Sequence, residues 1–238
     1  LQNMLDPIMQ HNLFYREKLL KLGVSSPQDI RSLNDFRKLP FTIKSELSQD
    51  QAQNPPYGTN LTFPLERYTR IHQTSGTTGE PLKMLDTAES WAWWANCWAS
   101  VYRAAGVTSK DRIFFAFSFG PFIGFWSAFD GSQKLGALAI PGGGMASLQR
   151  AKAILAHKST VLVCTPTYAL HLAEVAQENG IDTTSTDMRI TIQAGEPGAS
   201  LPAVKRRIEN VWGAKCYDHA GATEVGAWGF EHNGQRGL

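Results

Sequence analysis

The stretch Thr74-Ser75-Gly76-Thr77-Thr78-Gly79-Glu80-Pro81 follows the β-prone run 68–72 and gives the first indication of how this chain folds. Its two glycines allow a positive φ or a close approach of the backbone to a ligand. Four hydroxyls and a row of backbone N–H groups would then face the loop interior, which suits phosphate oxygens. Hydroxyl-rich turns are also common as plain solvated loops, so the stretch alone leaves both interpretations open. It matches neither a Walker A loop nor G-x-G-x-x-G.

Strand-like and helix-like segments surround this loop. Residues 82–85 are predicted to return as the second strand of a hairpin. Further along, segments alternate between predicted strands at 112–117, 137–140, 160–164, 188–193 and 215–217 and predicted helices at 86–105, 122–135, 148–157, 167–179 and 201–211. Such alternation predicts an α/β fold with a mixed, largely parallel sheet flanked by helices. Because ligands bind at the carboxyl ends of parallel strands, the loops after 164, 193 and 217 should converge on one edge.

The amino-terminal part has a different character. Residues 4–22 have helical spacing, and five prolines within 24–66 predict short helices and loops. We therefore expect an N-terminal helical and loop region over 1–66 and an α/β nucleotide-binding core over 67–238. Within the helix at 86–105, a stripe of tryptophans on one face is predicted to pack in the core rather than to stack on a cofactor, namely Trp91, Trp94 and Trp98.

The composition excludes several classes of protein. The chain has 238 residues, 23 basic and 21 acidic, and 42% are hydrophobic, which is ordinary globular usage. This balance favours neither nucleic acid nor an anionic membrane as a partner, and no apolar run reaches the roughly 20 residues that span a bilayer. Three widely spaced cysteines and the absence of a secretory signal lead us to expect a cytoplasmic location.

Three segments, in this order, resemble motifs of the adenylate-forming superfamily. The stretch 74–81 is similar to its phosphate loop, Ala-Gly-Glu-Pro at 194–197 to the segment beside the adenine, and Ala-Gly-Ala-Thr-Glu at 220–224 to its Tyr-Gly-x-Ser/Thr-Glu motif. Within the superfamily the chain most resembles the phenylacetate–CoA ligases, over nearly all its length. Further segments that carry this likeness are His-Asn-Leu-Phe-Tyr-Arg at 11–16, Leu-Pro-Phe-Thr-Ile-Lys at 39–44 and Cys-Thr-Pro-Thr-Tyr-Ala-Leu at 164–170.

The resemblance implies a two-step reaction. A carboxylic acid, with an aryl or arylacetic acid as the family expectation, attacks ATP to give an acyl-adenylate, and coenzyme A then takes the acyl group. The first step depends on neutralising charge at the phosphates. The implied cofactors are ATP/AMP, Mg²⁺ and coenzyme A. The implied fold is an incomplete large N-terminal domain of such an enzyme.

The resemblance also implies a role for individual residues. The β- and γ-phosphates would be held by Thr74, Ser75, Gly76, Thr77, Thr78 and Gly79. Thr223 would contact the α-phosphate, and Glu224 would hold Mg²⁺, a hard ion that prefers oxygen ligands. Residues expected at the adenine are Ala194, Gly195, Glu196, Pro197, Tyr217 and Asp218. Residues expected in the acyl pocket are Phe119, Gly120, Phe122, His219, Ala220 and Gly221.

Some features depart from the family pattern. Glu80 stands where relatives often carry Lys, with Lys83 as a candidate to compensate its charge, and Ala220 replaces the aromatic residue that opens the third motif.

The family's hinge and C-terminal lid domain lie downstream of this chain. We therefore expect the chain alone not to complete adenylation, and to self-associate as a homodimer through surface that later strands would cover.

Other interpretations stay open. The protein could transfer the adenylyl group to another acceptor, such as a flavin-like coenzyme, or be a non-catalytic remnant that binds nucleotide or a partner. A zinc site near Cys216, His219 and His232 is a minority interpretation, because zinc needs about four well-placed ligands and no Cys-x-x-Cys pair is present.

Overall fold

The computed structural model describes residues 2–76, 80–235 and 237, which form two compact units that divide between Ala88 and Glu89. The hairpin that begins at Tyr68 belongs to the first of these units. The domain division after residue 66 stays a prediction. Within the described residues, no helix is long and apolar enough to cross a membrane.

The first unit consists of short helices followed by a β-hairpin, as the prolines predicted. Its elements are α1 (Gln2–His11), α2 (Leu13–Leu20), α3 (Leu33–Phe36), α4 (Lys44–Gln53), β1 (Tyr68–Gln73) and β2 (Lys83–Thr87). The helical segment 4–22 is interrupted at Asn12, whose side chain caps α2 by accepting a hydrogen bond from Tyr15 N at 3.1 Å. The amide of Asn12 also donates to Asn60 and Thr62, and these tertiary contacts explain the break.

The hairpin confirms the predicted strands on both sides of the hydroxyl-rich loop. Strands β1 and β2 are antiparallel, with Ile71 opposite Leu85 and Gln73 opposite Lys83. The last pair lies next to the connecting loop, so the residues that begin and end the loop are held close together by the ladder.

The second unit is an α/β sandwich around a six-stranded sheet. Its elements are α5 (Ala88–Ala104), β3 (Arg112–Phe115), α6 (Trp126–Leu135), β4 (Leu138–Pro141), α7 (Ser147–Ala156), β5 (Val161–Cys164), α8 (Pro166–Glu178), β6 (Ile190–Gln193), α9 (Pro202–Trp212), β7 (Lys215–Ala222) and β8 (Gly226–Phe230). The strand order is β4-β3-β5-β6-β7-β8, parallel except for the antiparallel pair β7 and β8. The predicted mixed, largely parallel sheet flanked by helices is confirmed.

Two hydrophobic clusters cover the two faces of this sheet. One includes residues of α7, α8 and α9 and the other residues of α5 and α6. Strand β5 is buried along its whole length, which is typical of a parallel strand with helices on both faces. The tryptophan stripe of α5 is buried, with Trp98 only 1% exposed, so its predicted packing role is confirmed.

Two elements differ from their predicted extent. Strand β7 continues to Ala222, beyond the predicted end at 217, because its last residues pair with β8. Helix α6 begins at Trp126 instead of residue 122. The preceding segment turns sharply, and a side chain on Gly124, which has φ +35°, would collide with the Phe117 ring.

Candidate functional site

Five strands of the second unit end at the same edge of the sheet. Strands β4, β3, β5, β6 and β7 are parallel neighbours, so the segments that follow them leave from one side, here called the carboxyl edge. The predicted convergence of the segments after residues 164 and 193 is confirmed. The third motif lies at this edge too, although Ala220–Ala222 form the end of β7 instead of a loop.

The segment after β6 is fastened to the start of α8. Glu196 accepts a hydrogen bond from Thr167 N at 2.7 Å, which satisfies one of the free N–H groups at that helix start. Burial acts to raise the pKa of Glu196, but the hydrogen bonds from Thr167 and Thr165 outweigh it and the pKa is lowered. Gly198 lies so close that an added Cβ would be 2.5 Å from Pro166 Cβ. Glu196 therefore has a structural role besides its predicted place at the adenine.

Two residues of this segment are exposed where the adenine is predicted. Gly195 and Pro197 are exposed, whereas Ala194 is buried. Gly195 has φ +93°, a left-handed conformation that a residue with a side chain rarely adopts. The glycine is therefore required by the turn itself, whatever it binds.

A buried acid–base cluster lies where β7 meets this segment. Lys205 Nζ contacts Glu231 at 2.7 Å, and Glu231 accepts a hydrogen bond from Asp218 N at 2.9 Å. Burial raises the pKa of Asp218, against the effect of a hydrogen bond from Ser200. The Asp218 carboxylate thus links β7 to the segment after β6. Lys205 lies outside every motif of the sequence, so its pairing with Glu231 is visible only in the tertiary structure.

Tyr217, the other adenine candidate on β7, is a core residue. Its ring is 2% exposed and belongs to the hydrophobic cluster on the α5 and α6 side. Its hydroxyl lies 3.1 Å from Asn233 Oδ1, where it donates a hydrogen bond. Its predicted contact with adenine stays a prediction.

Thr223 and Glu224 occupy the turn between β7 and β8. Both are half-buried, and the turn is closed by a hydrogen bond from Val225 N to Ala222 O at 3.2 Å. Gly226, with φ +91°, follows them, and an added Cβ would lie 2.7 Å from the Trp93 ring. The hairpin is therefore held against α5 at a place where only glycine fits. The turn thus carries a hydroxyl and a carboxylate at neighbouring positions.

An aromatic cluster brings the predicted acyl-pocket residues Phe119 and His219 into one group. The His219 ring stacks on Trp98 at 4.3 Å, and ring contacts continue from Trp98 to Phe125 at 6.1 Å. Phe125 contacts Phe117 at 5.3 Å, which contacts Phe119 at 5.5 Å. Motif spacing could not identify Trp98 as a neighbour of His219, because the contact joins α5 to β7.

The remaining acyl-pocket candidates lie around this cluster. Phe122 is 44% exposed and is not a buried member of it. Gly120 lies beside the cluster, since its carbonyl accepts a hydrogen bond from Trp126 Nε1 at 3.0 Å and the Trp126 ring packs against Phe119 at 4.8 Å. Ala220 is half-buried and Gly221 is exposed, both at the end of β7. Phe119 has φ +48°, an uncommon conformation for a residue with a side chain.

The hydroxyl-rich loop belongs to the first unit. Thr74 closes its base, because Thr74 N donates to Leu82 O and Leu82 N donates to Thr74 Oγ1, each at 3.0 Å. Ser75 is exposed and Gly76 has φ +65°. The predicted phosphate contacts Thr77, Thr78 and Gly79 lie outside the described residues. Lys83, the candidate to compensate Glu80, donates to Pro56 O at 3.1 Å.

Metal and thiol chemistry find little support in the part of the chain that the structure describes. No group of three or more His, Cys, Asp or Glu side chains there could hold a metal ion. His232 is exposed and accepts a hydrogen bond from Gly234 N. Burial raises the pKa of Cys164, and that of Cys216 to about 12, so both thiols are protonated at neutral pH and unreactive.

Comparison with known proteins identifies related enzymes. No protein-family model matches the chain. The phenylacetate-coenzyme A ligase of Escherichia coli is 36% identical over 212 residues, which are 89% of this chain and 47% of that protein. The enzyme of the same name from Pseudomonas putida is 32% identical over 211 residues, 89% of this chain and 46% of that protein.

A solved structure agrees with these relatives. The open conformation of 2-hydroxyisobutyryl-CoA ligase, in complex with 2-HIB-AMP and CoA, has a TM-score of 0.86 to this chain at 33% identity, and the match covers 92% of this chain and 47% of that one. The chain thus spans about half the length of the relatives it matches. Over that length, the chain is homologous to phenylacetate–CoA ligases, and its structural neighbours include another CoA ligase.

Proposed function

We propose that the protein acts in the ATP-dependent activation of a carboxylic acid to an acyl-adenylate, followed by transfer of the acyl group to coenzyme A. The observation that carries this proposal is the meeting of the segments after β5, β6 and β7 at the carboxyl edge. The relatives are named as CoA ligases, and one solved neighbour contains an acyl-adenylate with CoA. These names favour coenzyme A over another acceptor.

In this proposal the residues of the carboxyl edge position the reacting groups. A carboxylate oxygen of the acid attacks the α-phosphorus of ATP and pyrophosphate leaves; the thiol then attacks the acyl carbon and AMP leaves. Thr223 would donate to the α-phosphate from its turn, and the backbone of Gly195 and Pro197 would border the adenine. Holding the groups in line supplies much of the acceleration in such transfers.

The donor set on the β7–β8 turn fits a magnesium ion. Glu224 and Thr223 present a carboxylate and a hydroxyl, the hard oxygen ligands that Mg²⁺ prefers. When bound, Mg²⁺ would neutralise negative charge on the phosphates. In the first unit, Thr74 and Ser75 would contact the β- and γ-phosphates together with Thr77, Thr78 and the loop glycines. We also propose that the chain self-associates as a homodimer.

Magnesium-dependent nucleotide binding tests the proposal. The chain is titrated calorimetrically with ATP, with and without Mg²⁺, and Glu224→Gln is compared with Glu178→Gln, an exposed residue at the end of α8. We expect Glu224→Gln to weaken binding about tenfold in the presence of Mg²⁺, a loss of about 1.4 kcal/mol, and to change little without it. The Glu178 variant should bind as the unaltered chain does.

Two results would contradict the proposal. One is no saturable binding of ATP by the unaltered chain under either condition. The other is a Glu224→Gln variant that keeps the full effect of Mg²⁺. Circular dichroism of each variant shows whether a loss of binding reflects a loss of fold.

A further inference from the structure

His219 is a buried side chain whose two ring nitrogens have no hydrogen-bond partner among the described residues. The residue is 7% exposed, and both Nδ1 and Nε2 are enclosed and unbonded. Buried polar atoms in folded proteins almost always have a partner, because leaving one unpaired destabilises the fold. The ring therefore requires a partner that the described part of the chain does not supply.

The surroundings of the ring define the chemistry of that partner. Burial lowers the pKa of His219 to about 4, so the imidazole is neutral near pH 7 and offers one N–H donor and one acceptor nitrogen. A neutral ring in an apolar setting is complemented best by a neutral polar group, such as a hydroxyl, since an ion would lose its hydration there.

The position of the ring connects it with the candidate acyl pocket. One face stacks on Trp98 at 4.3 Å, and Trp98 continues into the aromatic cluster that contains Phe119. Beside the ring, an added Cβ on Gly221 would lie 3.2 Å from Cε1, the carbon between the two nitrogens. Because residue 221 is glycine, no side chain at this position packs against that carbon. The ring thus combines one aromatic stacking partner, Trp98, with one donor–acceptor pair.

We propose that His219 is a specificity-determining residue that hydrogen-bonds the acid, and that the substrates are carboxylic acids whose apolar body carries a hydroxyl or similar neutral polar group. This inference rests on the proposed function. It narrows the substrate class, because an acid with an unsubstituted apolar body would leave both nitrogens unpaired on binding.

Matched acids test the inference. The full chain is titrated with non-hydrolysable acyl-adenylate analogues in two pairs: phenylacetate against para-hydroxyphenylacetate, and isobutyrate against α-hydroxyisobutyrate. We expect one hydroxylated member to bind at least about tenfold more tightly than its partner, as one hydrogen bond to a buried site provides. His219→Leu, which removes both nitrogens but keeps an apolar side chain, should abolish that preference, so that the two members of the pair bind with equal affinity.

Two further measurements separate specificity from packing. His171→Leu, the same change at an exposed residue of α8, should keep the preference. In the unaltered chain, NMR of the histidine ring nitrogens should show a shift of the His219 signals with the hydroxylated analogue alone. This second readout does not depend on any variant folding.

The outcomes distinguish the inference from the function beneath it. Suppose that AMP binds, that the two members of each pair bind with equal affinity, and that the ring signals do not move. The inference is then wrong while the proposed function stands. If neither AMP nor any analogue binds, the proposed function is wrong and the inference fails with it. A preference that His219→Leu retains would also overturn the assignment to His219.

Discussion

Asp111 joins three strands at the amino ends of the sheet through one buried carboxylate. It accepts hydrogen bonds from Arg189 Nη2 at 2.5 Å, from Thr160 Oγ1 at 2.8 Å and from Thr108 N at 2.8 Å. Burial acts to raise the pKa of Asp111, but these donors outweigh it and the pKa is lowered. Asp111 is only 4% exposed. If its carboxylate were removed, water would not easily replace the hydrogen bonds that the donors lose.

The variant Asp111→Asn is expected to destabilise the chain. Removing the charge from a hydrogen-bonded buried carboxylate should lower the free energy of unfolding by about 2–3 kcal/mol at pH 7. Because the native pKa is depressed, this stabilisation is complete above the unfolded value of about 3.9 and is lost as the pH falls through the native pKa. Urea unfolding at neutral pH and in acid measures both effects.

Asp187→Asn is the matched control for this prediction. Asp187 is 53% exposed and pairs with Arg112 at 3.7 Å, an exposed pair that should contribute little. Equal destabilisation by the two variants would contradict the role given to Asp111. The role would also be contradicted if Asp111→Asn and the unaltered chain differed as much in their free energy of unfolding in acid as at neutral pH.

At the scale of elements, Gly131 allows α5 and α6 to approach closely. A Cβ at this position would lie 2.5 Å from Trp98 Cβ and 3.0 Å from Ala95 O. The colliding atoms are a backbone oxygen and a Cβ atom, and no change of rotamer can move either of them aside. The same contact fixes Trp98, the residue on which His219 stacks.

Gly131→Ala should therefore destabilise the chain although alanine favours helices. The gain in helix propensity is about 1 kcal/mol, whereas overpacking a tight interface costs about 1–3 kcal/mol. We expect a net loss in thermal unfolding and a changed near-ultraviolet signal from the tryptophans. Gln133→Ala, on the exposed side of the same helix, gains propensity without a collision and should be neutral or stabilising. A Gly131→Ala variant as stable as the Gln133 variant would refute the packing argument.

At the scale of the whole molecule, β8 is an edge strand with exposed apolar side chains. Trp228 is 66% exposed and Val225, in the preceding turn, is 69% exposed. Edge strands present unpaired backbone groups, and exposed apolar patches favour association. We expect the chain to self-associate reversibly through this edge as its concentration rises.

Sedimentation velocity over a range of concentrations tests this expectation. Trp228→Lys places a charge on the edge and should raise the dissociation constant for self-association at least about tenfold. Leu138→Lys, an equally drastic change at an exposed residue of β4 on the other edge, serves as the control. A monomer at every concentration, or an equal effect of both variants, would contradict the assignment to β8.

The sequence determined the fold class and the identity of the motifs. Alternating apolar segments, helix ends and prolines are local signals, so the strands after the hydroxyl-rich loop and the parallel sheet could be read directly. The order of three motifs gave the family. Local signals also gave the wrong end for β7, because its last residues become strand only by pairing with β8.

Only the tertiary structure decided which side chains share an environment. The stack of His219 on Trp98, the contact of Glu196 with Thr167 and the pairing of Lys205 with Glu231 each join residues that are more than 20 positions apart. Such contacts depend on strand order and helix packing, which no local pattern encodes. The unpaired nitrogens of His219 are a consequence of this packing, since the ring is buried in a stack on Trp98 and the described residues supply no hydrogen-bond partner.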